Sequence, residues 1–333
     1  MLAELPAIPR RLRIVIPGGS GQLGQILASH FQEQGHHVTV LTRGPYTAPW
    51  QTVHWDGATL GPWTEHLEGA DVCINLAGRS VNCRYHAAHR KTIYDSRIDT
   101  TRLLNHVIAN LADPPAVWLN ASTATIYRHA LDRPMDEATG ELGGNEPISA
   151  LRRAPDTWNF SIRVAKDWES AFFETSTPRT RKVALRSAIV FSPISGNAFV
   201  VLSNLVRIGL GGFQGDGRQF VSWIHDADFA RAVDFLIVRD DLEGPVNLAS
   251  PNPLPNREFM AVLREAWDVP NGLPLPTPLL ELGALLLRTE TELVLKSRRV
   301  IPTRLLDTGF HFEYLNWPAA AEDLVRRWRH RFD

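Results

Sequence analysis

A chain of 333 residues with 44% hydrophobic and 21% charged side chains has the composition of a soluble globular protein, and its length suits one large α/β domain with a smaller second one. The formal net charge of −1 provides no field that would attract nucleic acid or an anionic membrane, which disfavours both classes of partner. The two cysteines, Cys73 and Cys83, lack the spacing of a zinc site, so we expect no metal site, no disulfide framework and a cytoplasmic location.

Neither a secretory signal nor a membrane span is predicted. Residues 1–11 lack a continuous apolar core and contain Pro6 and Pro9. The most apolar later segment, residues 279–287, is interrupted by Glu281 and is much shorter than the roughly 20 apolar residues that a spanning helix needs. We interpret this segment as a buried helix of a protein without a membrane partner.

The first predicted unit consists of a strand, a glycine-rich turn, a helix and a second strand. Apolar residues indicate a buried strand over residues 13–17, and apolar positions at helical spacing between Leu23 and Phe31 indicate a helix that Gly35 ends. The second strand is predicted over residues 37–42. A βαβ unit of about 30 residues with a glycine-rich turn is typical of dinucleotide-binding proteins.

Strands and helices continue to alternate up to residue 191. Further strands are predicted over residues 52–55, 71–77, 116–121 and 182–191, and helices are predicted to include residues 93–107 and 162–173. This alternation predicts an α/β fold of Rossmann type with a doubly wound parallel sheet. Glycine and proline then become frequent, which predicts a smaller C-terminal, substrate-side domain over residues 192–333, with returns to the main sheet near residues 222–250.

Seven residues between the first strand and the first helix form the predicted phosphate loop. They are Gly18, Gly19, Ser20, Gly21, Gln22, Leu23 and Gly24. Glycines at this spacing suit a turn with unusual backbone angles, a pyrophosphate that approaches the main chain, and a helix that packs close to the strand. The free N–H groups and the helix dipole then hold the phosphates. Residues 1–191 are therefore predicted to be mainly an NAD(P)-binding domain.

The end of the second predicted strand distinguishes the two nicotinamide dinucleotides. NAD-binding proteins usually place an acidic residue there, which hydrogen-bonds the ribose 2′-hydroxyl. This strand ends in Leu41, Thr42 and Arg43 without an acid, and the planar guanidinium of an arginine suits a 2′-phosphate. We therefore expect NADP(H) rather than NAD(H) as the cofactor. The alternative for Arg43 is a solvated surface arginine.

The sequence resembles the extended short-chain dehydrogenase/reductase superfamily, and more closely an atypical branch labelled epimerase-family proteins. The resemblance rests on several segments that together span almost the whole chain. They are GGSGQLG at 18–24, LTRGP at 41–45, INLAG at 74–78, RKTIYDSRIDTTRLL at 90–104, KDWESA at 166–171, GLGGFQGDGRQFVSWIHDADFARA at 209–232, NLASPNPLPNREF at 247–259 and SRRVIPTRLLDTGFHFEY at 297–314.

The resemblance implies which residues bind the cofactor. The phosphate loop would wrap the pyrophosphate, the end of the second strand would hold the 2′-phosphate, the residues after the fourth strand would pass beneath the ribose, and a serine of the next helix would lie near the nicotinamide. In chain order these residues are Gly18, Gly19, Ser20, Gly21, Gln22, Leu23, Thr42, Arg43, Leu76, Ala77, Gly78 and Ser96. A plain strand end is the alternative for Leu76 and Ala77.

Enzymes of this superfamily use a Ser or Thr, a Tyr and a Lys. The tyrosine exchanges a proton with the substrate, and a nearby cation must pull its pKa from about 10 toward neutrality. The resemblance places Thr123 at the hydroxyl position, with Ser122 adjacent and Tyr127 four residues later. Either hydroxyl would orient a substrate; the alternative is that both cap a loop.

The second half of this catalytic set departs from the pattern Tyr-x-x-x-Lys. Ile162 stands four residues before Lys166, so the phenol is missing, and a register shifted by one residue gives Ser161 and Ala165 instead. Lys166 would still reach the cofactor ribose, or it is a surface lysine on a helix. Tyr127 would replace the missing acid, or it shapes the pocket as in related proteins.

Two residues of the segment 209–232 are predicted to contact the substrate. The resemblance implies that this segment helps to bind a nucleoside diphosphate, and the planar guanidinium of Arg218 suits such an anion. His225 would hydrogen-bond the substrate; its alternative is a structural role beside Asp226 and Asp228, which suit the start of a helix.

Two functions from different classes fit these residues. The first is an NADP(H)-dependent oxidoreductase or epimerase-like enzyme that acts on a small polar substrate, such as a nucleotide-linked sugar. The second is a non-catalytic NADP(H)-binding sensor or regulatory protein, which the missing phenol favours. A homodimer is compatible with both functions, and no feature of the sequence determines the oligomeric state.

Overall fold

The computed structural model describes residues 11–144, 147–149, 152–153, 155–286 and 290–332. Residues 1–10, where no secretory signal was predicted, lie outside these ranges. In chain order the strands are β1 (Arg13–Pro17), β2 (His37–Thr42), β3 (Gln51–His54), β4 (Val72–Asn75), β5 (Val117–Thr123), β6 (Pro147–Ser149), β7 (Arg152–Arg153), β8 (Arg181–Ser187), β9 (Ile189–Phe191), β10 (Phe220–Val221), β11 (Trp223–His225), β12 (Gly244–Leu248) and β13 (Leu254–Pro255).

The helices follow the same order along the chain. They are α1 (Gln22–Glu33), α2 (Ala87–Asn110), α3 (Asp156–Phe173), α4 (Ala198–Arg207), α5 (Asp226–Val238), α6 (Asn256–Ala266), α7 (Thr277–Leu286), α8 (Glu292–Leu295), α9 (Thr303–Asp307) and α10 (Trp317–Phe332). Two short 3-10 turns cover Pro62–His66 and Ala124–Ile126.

Seven parallel strands form the main sheet in the order β12, β8, β5, β4, β1, β2, β3. This is the strand order of a Rossmann fold, and it confirms the predicted doubly wound parallel sheet. The order reverses between β1 and β4, which pair through Ile14 with Val72 and Val15 with Cys73. In such a fold, ligands bind at the carboxyl ends of the strands beside this reversal.

Both faces of the sheet are buried because helices cover each of them. On β1, the side chains of Ile14 and Ile16 pack with Leu27 and Phe31 of α1, whereas Val15 between them belongs to the core on the opposite face. Successive side chains of a strand point to opposite faces, so a two-sided core requires an uninterrupted apolar strand. The apolar run that predicts β1 from the sequence has this physical cause.

The strand predicted over residues 182–191 is in fact two strands. β8 stays in the main sheet up to Ser187, and the chain then leaves the sheet so that β9 pairs with β11. The bend lies at Ala188, whose N–H donates to the carbonyl of Leu248 at 2.9 Å. The chain returns to the main sheet as β12, which pairs with β8 over five positions. The run is apolar on both sides of the bend, so hydrophobicity alone does not report the break.

Aromatic rings form the core of the C-terminal part. Phe259 of α6 stacks on Trp317 at the start of α10, with ring centroids 4.2 Å apart and planes inclined by 14°. Phe191 of β9 and Trp223 of β11 contact the same indole, with centroids at 5.3 and 5.1 Å. The indole ring of Trp317 therefore connects β9 and β11, which lie outside the main sheet, to helices α6 and α10.

The apolar segment at residues 279–287 is helical up to residue 286, as part of α7, but Leu279 and Leu282 are not buried as predicted. Leu279 and Leu282 are 53% and 54% exposed. Burial needs a packing partner as well as apolar composition. Thr277 and Glu281 of the same helix line a surface cavity. Residue 287 lies outside the described ranges. Within those ranges, no helix is long and apolar enough to cross a membrane.

Replacing Trp317 with alanine should lower the free energy of unfolding by about 3–5 kcal/mol, because it removes the ring on which three other aromatic side chains pack. Urea denaturation followed by circular dichroism measures the change. Leu306→Ala, at an exposed leucine of α9, is the control and should change it by less than roughly 0.5 kcal/mol. Equal effects of the two substitutions would contradict this account of the core.

Candidate active-site cleft

A cleft opens at the carboxyl ends of β1, β4 and β5, beside the reversal of strand order. It consists of two adjoining cavities of about 480 and 620 Å³, which share Gly18, Gly21, Leu76 and Gly78. The smaller, which we name the Arg43 cavity, continues past Ser20, Thr42, Arg43, Asp56, Ala77 and Ser96. The larger, the Thr123 cavity, continues past Gln22, Tyr85, Arg97, Thr123, Ser161 and Glu292.

Two of the phosphate-loop glycines are required by the protein's own packing. Gly18 has a φ of +75°, and a Cβ there would lie 2.7 Å from the backbone of Ala77. A Cβ on Gly24 would lie 2.3 Å from Cα of Gly19, where α1 packs on the turn. Gly21 differs, because the nearest atom to its Cβ would be the Gly18 carbonyl oxygen at 3.5 Å. The space beside Gly21 is therefore open to a bound group.

The first turn of α1 offers free N–H groups to the cleft. Gly21 is the N-cap and supplies no side-chain acceptor, and no acidic residue lies in the first turn. The leading N–H groups of a helix have no carbonyl partner within it, and together with the helix dipole they attract an anion. Gln22 and Leu23 of this turn line the Thr123 cavity. These residues therefore fit the pyrophosphate of a dinucleotide.

The end of β2 brings a hydroxyl and a cation to the Arg43 cavity. Thr42 Oγ1 donates to Ser20 Oγ at 3.0 Å, which holds the end of β2 against the phosphate loop. Arg43 is exposed, and it forms no ion pair with any residue of the described ranges. Its guanidinium is therefore free to pair with an anion that enters the cavity.

Asp56 is a residue of the Arg43 cavity that the sequence interpretation missed. It follows β3, and its carboxylate accepts hydrogen bonds from the hydroxyl of Thr59 at 2.6 Å and from the N–H groups of Thr59 and Ala58 at 2.8 Å. These hydrogen bonds lower the pKa of Asp56 to about 2. The available signal was an acidic residue at the carboxyl end of a parallel strand, which is where ligands of this fold bind.

The remaining predicted cofactor residues lie together, with one exception. Those that line the Arg43 cavity are Leu76, Ala77, Gly78 and Ser96. Ser96 Oγ also accepts the N–H of Arg79 at 2.9 Å, which connects α2 to the segment after β4. The exception is Gly19, which lines neither cavity. A Cβ there would lie 2.8 Å from the side chain of Val40, so Gly19 packs against the sheet, which corrects its predicted contact with the cofactor.

The two predicted hydroxyls at the end of β5 both line the Thr123 cavity. Thr123 Oγ1 accepts the N–H of Thr125 at 3.1 Å and so caps the following 3-10 turn, while its own proton has no acceptor among the described residues. Ser122 Oγ donates to the buried carboxylate of Glu169 at 2.5 Å. Thr123 is therefore better placed than Ser122 to donate to a substrate oxygen.

Tyr127, predicted as a substitute acid, is not part of the cleft. It is 2% exposed, and its hydroxyl donates to Oδ1 of Asn247 and accepts from Nη1 of Arg186, both at 2.9 Å. Burial raises the pKa of this phenol. The structure corrects the prediction: protein groups on β8 and β12 enclose the phenol, and Tyr127 joins these strands to β5.

Helix α3 presents Ser161 and Ala165 to the Thr123 cavity. Ile162 is buried in the protein, and Lys166 is exposed and lines neither cavity. Of the two registers, the one shifted by one residue has both of its positions, Ser161 and Ala165, at the cavity. Lys166 is a surface lysine, contrary to its predicted contact with the ribose. One residue along a helix turns a side chain by about 100°, so an error of one position changes the face on which it lies.

Three side chains of the Thr123 cavity were not predicted from the sequence as residues of the site. Tyr85, between β4 and α2, packs edge-on against Phe160 with ring centroids 5.4 Å apart. Arg97 of α2 brings a guanidinium into the cavity, and Glu292 of α8 accepts a hydrogen bond from Ser161 Oγ at 2.5 Å. These residues come from distant parts of the chain, so no short motif connects them.

Burial perturbs the ionisable groups of this cavity. Burial, together with the charge of Glu292, raises the pKa of Tyr85 to about 12. Burial also raises the pKa of Glu292 and lowers that of Arg97 to about 10. The phenol and the guanidinium therefore both carry their protons at neutral pH. Perturbed pKa values that cluster in a cleft are typical of active sites.

His225, a predicted substrate contact, is enclosed in the C-terminal part. It is 1% exposed; its Nδ1 accepts the N–H of Ala227 at 3.1 Å at the start of α5, its Nε2 lies 3.1 Å from Asp323, and its ring stacks on Tyr314. The structure thus corrects the prediction to a structural role. Arg218 is exposed and lines neither cavity. In the part of the chain that the structure describes, no three His, Cys, Asp or Glu side chains are grouped to hold a metal ion.

Two family models match the chain in succession. The NAD dependent epimerase/dehydratase family matches residues 14–249, which include the seven strands of the main sheet except Arg13 at the start of β1. A domain of unknown function (DUF1731) matches residues 275–324. An epimerase family protein of Staphylococcus epidermidis is 30% identical over 314 residues, which cover 94% of this chain and 99% of the relative. The Homo sapiens epimerase family protein SDR39U1 is 28% identical over 319 residues, covering 94% and 100%.

Solved structures agree with these sequence matches. The structure of human epimerase family protein SDR39U1 (isoform 2) with NADPH aligns with a TM-score of 0.80 at 27% identity, over 94% of this chain and 99% of that chain. A nucleoside-diphosphate sugar epimerase from Corynebacterium glutamicum aligns with a TM-score of 0.73 at 26% identity, over 95% of this chain and 58% of that chain. A UDP-N-acetylglucosamine 4-epimerase from Bacillus cereus, at 17% identity and a TM-score of 0.70, shares the fold.

Replacing Tyr127 with phenylalanine should lower the free energy of unfolding by about 1–3 kcal/mol, because Arg186 and Asn247 lose their buried partner. The affinity for NADPH, measured by calorimetry, should stay unchanged. Tyr46→Phe, at a half-buried tyrosine before β3, is the control and should alter stability by less than roughly 0.5 kcal/mol. Unchanged stability with strongly weakened NADPH binding would show that Tyr127 serves the cleft instead.

Proposed function

Because the chain belongs to the NAD dependent epimerase/dehydratase family, we propose that its cleft binds NADP(H) in preference to NAD(H) and that the protein oxidises or reduces a small polar substrate there. The observation that carries this proposal is the continuity of the two cavities across Gly18, Gly21, Leu76 and Gly78. A dinucleotide has two nucleosides on either side of a pyrophosphate, and this outline suits two cavities that meet at a phosphate loop.

Three features support the choice of NADP(H). The strand β2 ends without an acidic residue that would bind a free 2′-hydroxyl. Arg43, directly after that strand, is exposed at the Arg43 cavity and has no ion-pair partner in the described ranges. A 2′-phosphate would therefore give its guanidinium an ionic partner. The human relative at 27% identity was solved with NADPH.

The chain's own residues suit oxidoreduction in the Thr123 cavity. Bound NADP(H) would supply hydride transfer at its nicotinamide ring. Thr123 has a hydroxyl proton available to orient a substrate oxygen. Phe160, Val164 and Trp168 provide apolar walls for a flat ring and keep water from the reacting carbon.

The proposed substrate is a small polar molecule such as a nucleotide-linked sugar. Donors on Arg97 and Thr123 line the Thr123 cavity and suit hydroxyl and carbonyl oxygens. A purely apolar ligand would leave such buried donors unpaired, at a cost of about 1–3 kcal/mol each. The Corynebacterium glutamicum relative at 26% identity is described as a nucleoside-diphosphate sugar epimerase, which is consistent with this substrate class.

A second function is supported by one specific observation. Helix α3 presents Ser161 and Ala165 to the Thr123 cavity. In the register shifted by one residue, the resemblance assigns these two positions to the tyrosine and the lysine. A protein with these substitutions keeps the binding cleft and lacks the usual proton-transfer pair. In this second proposal the protein binds NADP(H) without turnover and reports its presence to a protein partner.

Turnover distinguishes the two functions. The protein is saturated with NADPH and mixed with a panel of carbonyl compounds, and in parallel it is saturated with NADP⁺ and mixed with nucleotide sugars. NADPH absorbance reports reduction of the carbonyl compounds. NMR of the sugars reports epimerisation, which begins with oxidation by NADP⁺ and leaves the cofactor unchanged overall. We expect turnover of at least one compound. Thr123→Val should then lower kcat by roughly 100-fold, because a donor to the reacting oxygen is lost. Tight NADPH binding without turnover of any compound would favour the sensor.

Replacing Arg43 with alanine should weaken NADPH binding by about 10- to 100-fold and NADH binding by less than about twofold, because only NADPH carries the 2′-phosphate. Calorimetric titration measures both affinities. Arg218→Ala, at an exposed arginine outside both cavities, should change neither. Gly21→Leu should abolish binding of both, because its side chain would fill the open space of the phosphate loop. Equal loss of NADPH and NADH binding in Arg43→Ala would show that Arg43 does not contact the 2′-phosphate.

A further inference from the structure

A second tyrosine, Tyr85, lines the Thr123 cavity, on which α3 presents no tyrosine. Ser161 lines the Thr123 cavity and occupies the tyrosine position in the register shifted by one residue. Tyr85, from the segment between β4 and α2, lines the same cavity. Its interaction with the Ser161 side chain acts to lower its pKa against the effect of burial. The Thr123 cavity therefore contains a phenol, although it comes from a different part of the chain.

Tyr85 is held firmly at the wall of the cavity. Its ring packs edge-on against Phe160. Its backbone N–H donates to Glu290 Oε1 at 2.8 Å, and its carbonyl accepts from Arg90 Nε at 2.7 Å. A general acid must keep a defined position relative to the reacting atom, and these contacts fix both the backbone and the ring.

A cation lies beside this phenol. Arg97 has no ion-pair partner among the described residues, and its positive charge acts to lower the pKa of Tyr85. Its guanidinium lies 5.2 Å from the ring of Trp168 and against Gly78, where an added Cβ would be 3.2 Å from Cζ. An arginine keeps its charge at every physiological pH. Arg97 thus supplies the positive charge that a lysine supplies in the superfamily pattern.

A short series of hydrogen bonds connects Ser161, Glu292 and Arg298. Ser161 Oγ donates to Glu292 Oε2 at 2.5 Å, and Glu292 is 3% exposed. Glu292 also accepts from Nη2 of Arg298 at 3.3 Å, which holds the carboxyl in place. Burial raises the pKa of Glu292, so its carboxyl can hold a proton at a higher pH than an exposed glutamate.

We propose that Tyr85 donates the proton in this cleft, that Arg97 is the cation beside it, and that Ser161 and Glu292 form the path by which Tyr85 is reprotonated. This inference rests on the proposed function, because it concerns reduction of a carbonyl in the Thr123 cavity. The carbonyl carbon accepts a hydride from the reduced nicotinamide, the π electron pair moves onto the oxygen, and the O–H bond of Tyr85 breaks as its proton joins that oxygen. The phenolate then takes the proton of Ser161, Ser161 takes one from Glu292, and Glu292 regains one from water.

Tyr85 carries its proton at neutral pH. A phenol with a pKa of about 12 is protonated there and can donate a proton to an alkoxide.

One test needs no substrate and uses the charge of the nicotinamide ring. Protein with ¹³C-labelled tyrosine rings is titrated with pH in complex with NADP⁺ and with NADPH, and the resonance that disappears in Tyr85→Phe is assigned to Tyr85. The oxidised ring is positive and the reduced ring is not, so Tyr85 should ionise roughly one pH unit or more lower in the NADP⁺ complex. The same midpoint in both complexes would overturn the proposal.

Comparing the two complexes separates the effect of the nicotinamide charge on the pKa of Tyr85 from the effects of the other charged groups nearby. Among the described residues, the charged and titratable groups that face Tyr85, or adjoin Glu292, are Cys83, Arg90, Arg97, Glu290, Glu292, Lys296 and Arg298. They are common to both complexes, so their effects cancel. Tyr94 is the internal control: its hydroxyl donates to Asp167 Oδ2 at 3.1 Å, it lines neither cavity, and its resonance should titrate alike in both complexes.

Kinetics with any substrate found in the panel give the second test. Tyr85→Phe keeps the ring that packs on Phe160 and removes only the hydroxyl, so it should lower kcat by about 100-fold or more while the Kd for NADPH changes by less than about twofold. Tyr94→Phe should keep the full rate. If the unmodified protein turns over and Tyr85→Phe is equally fast, the inference fails while the proposed function stands. If nothing is turned over but the Tyr85 midpoint shifts with NADP⁺, the enzyme proposal fails while the position of Tyr85 beside the nicotinamide is supported.

Discussion

The turn after β1 touches the end of β4 so closely that no side chain fits between them, and the position of the cleft follows from this contact. A Cβ on Gly18 would lie 2.7 Å from the Ala77 backbone. The N–H of Gly18 donates to the carbonyl of Leu41 at 2.9 Å, and that of Leu76 donates to Pro17 at 2.8 Å. The carboxyl ends of β1, β2 and β4 are thereby joined through main-chain atoms. The phosphate loop, the end of β2 and the segment after β4 consequently face one space, whatever their side chains contribute.

A buried ion pair imposes the second constraint, on the other side of the cleft. Glu169 of α3 and Arg186 of β8 form two hydrogen bonds, at 2.9 and 2.7 Å. Charges removed from water need every available partner, and this pair draws the hydroxyls of Ser122 and Tyr127 into its network. Two groups that resemble catalytic residues are therefore used for structure. Thr123 stands outside this network, and its hydroxyl proton has no acceptor among the described residues.

The orientation of α3 also determines which residues of the Thr123 cavity must come from other parts of the chain. Helix α3 turns Phe160, Ser161 and Val164 toward the cavity and Lys166 away from it, so this helix provides neither a phenol nor an amine. The phenol in the cavity comes instead from Tyr85, before α2, and the acid comes from Glu292 in α8. A helix beyond the main sheet thus completes the cleft and connects the C-terminal part to the other residues of the Thr123 cavity.

The sequence alone determined those elements whose structure depends only on residues adjacent in the chain. β1, β2 and the phosphate loop lie where apolar runs and glycine spacing predicted them, because strand burial and turn geometry depend on adjacent residues. Only the tertiary structure decided that Tyr127 and His225 have buried partners, that Leu279 is exposed, and that Ser161 rather than Ile162 faces the cleft. The reason is physical: the direction and partners of each of these side chains depend on packing against segments distant in the chain, and a short motif contains no information about that packing.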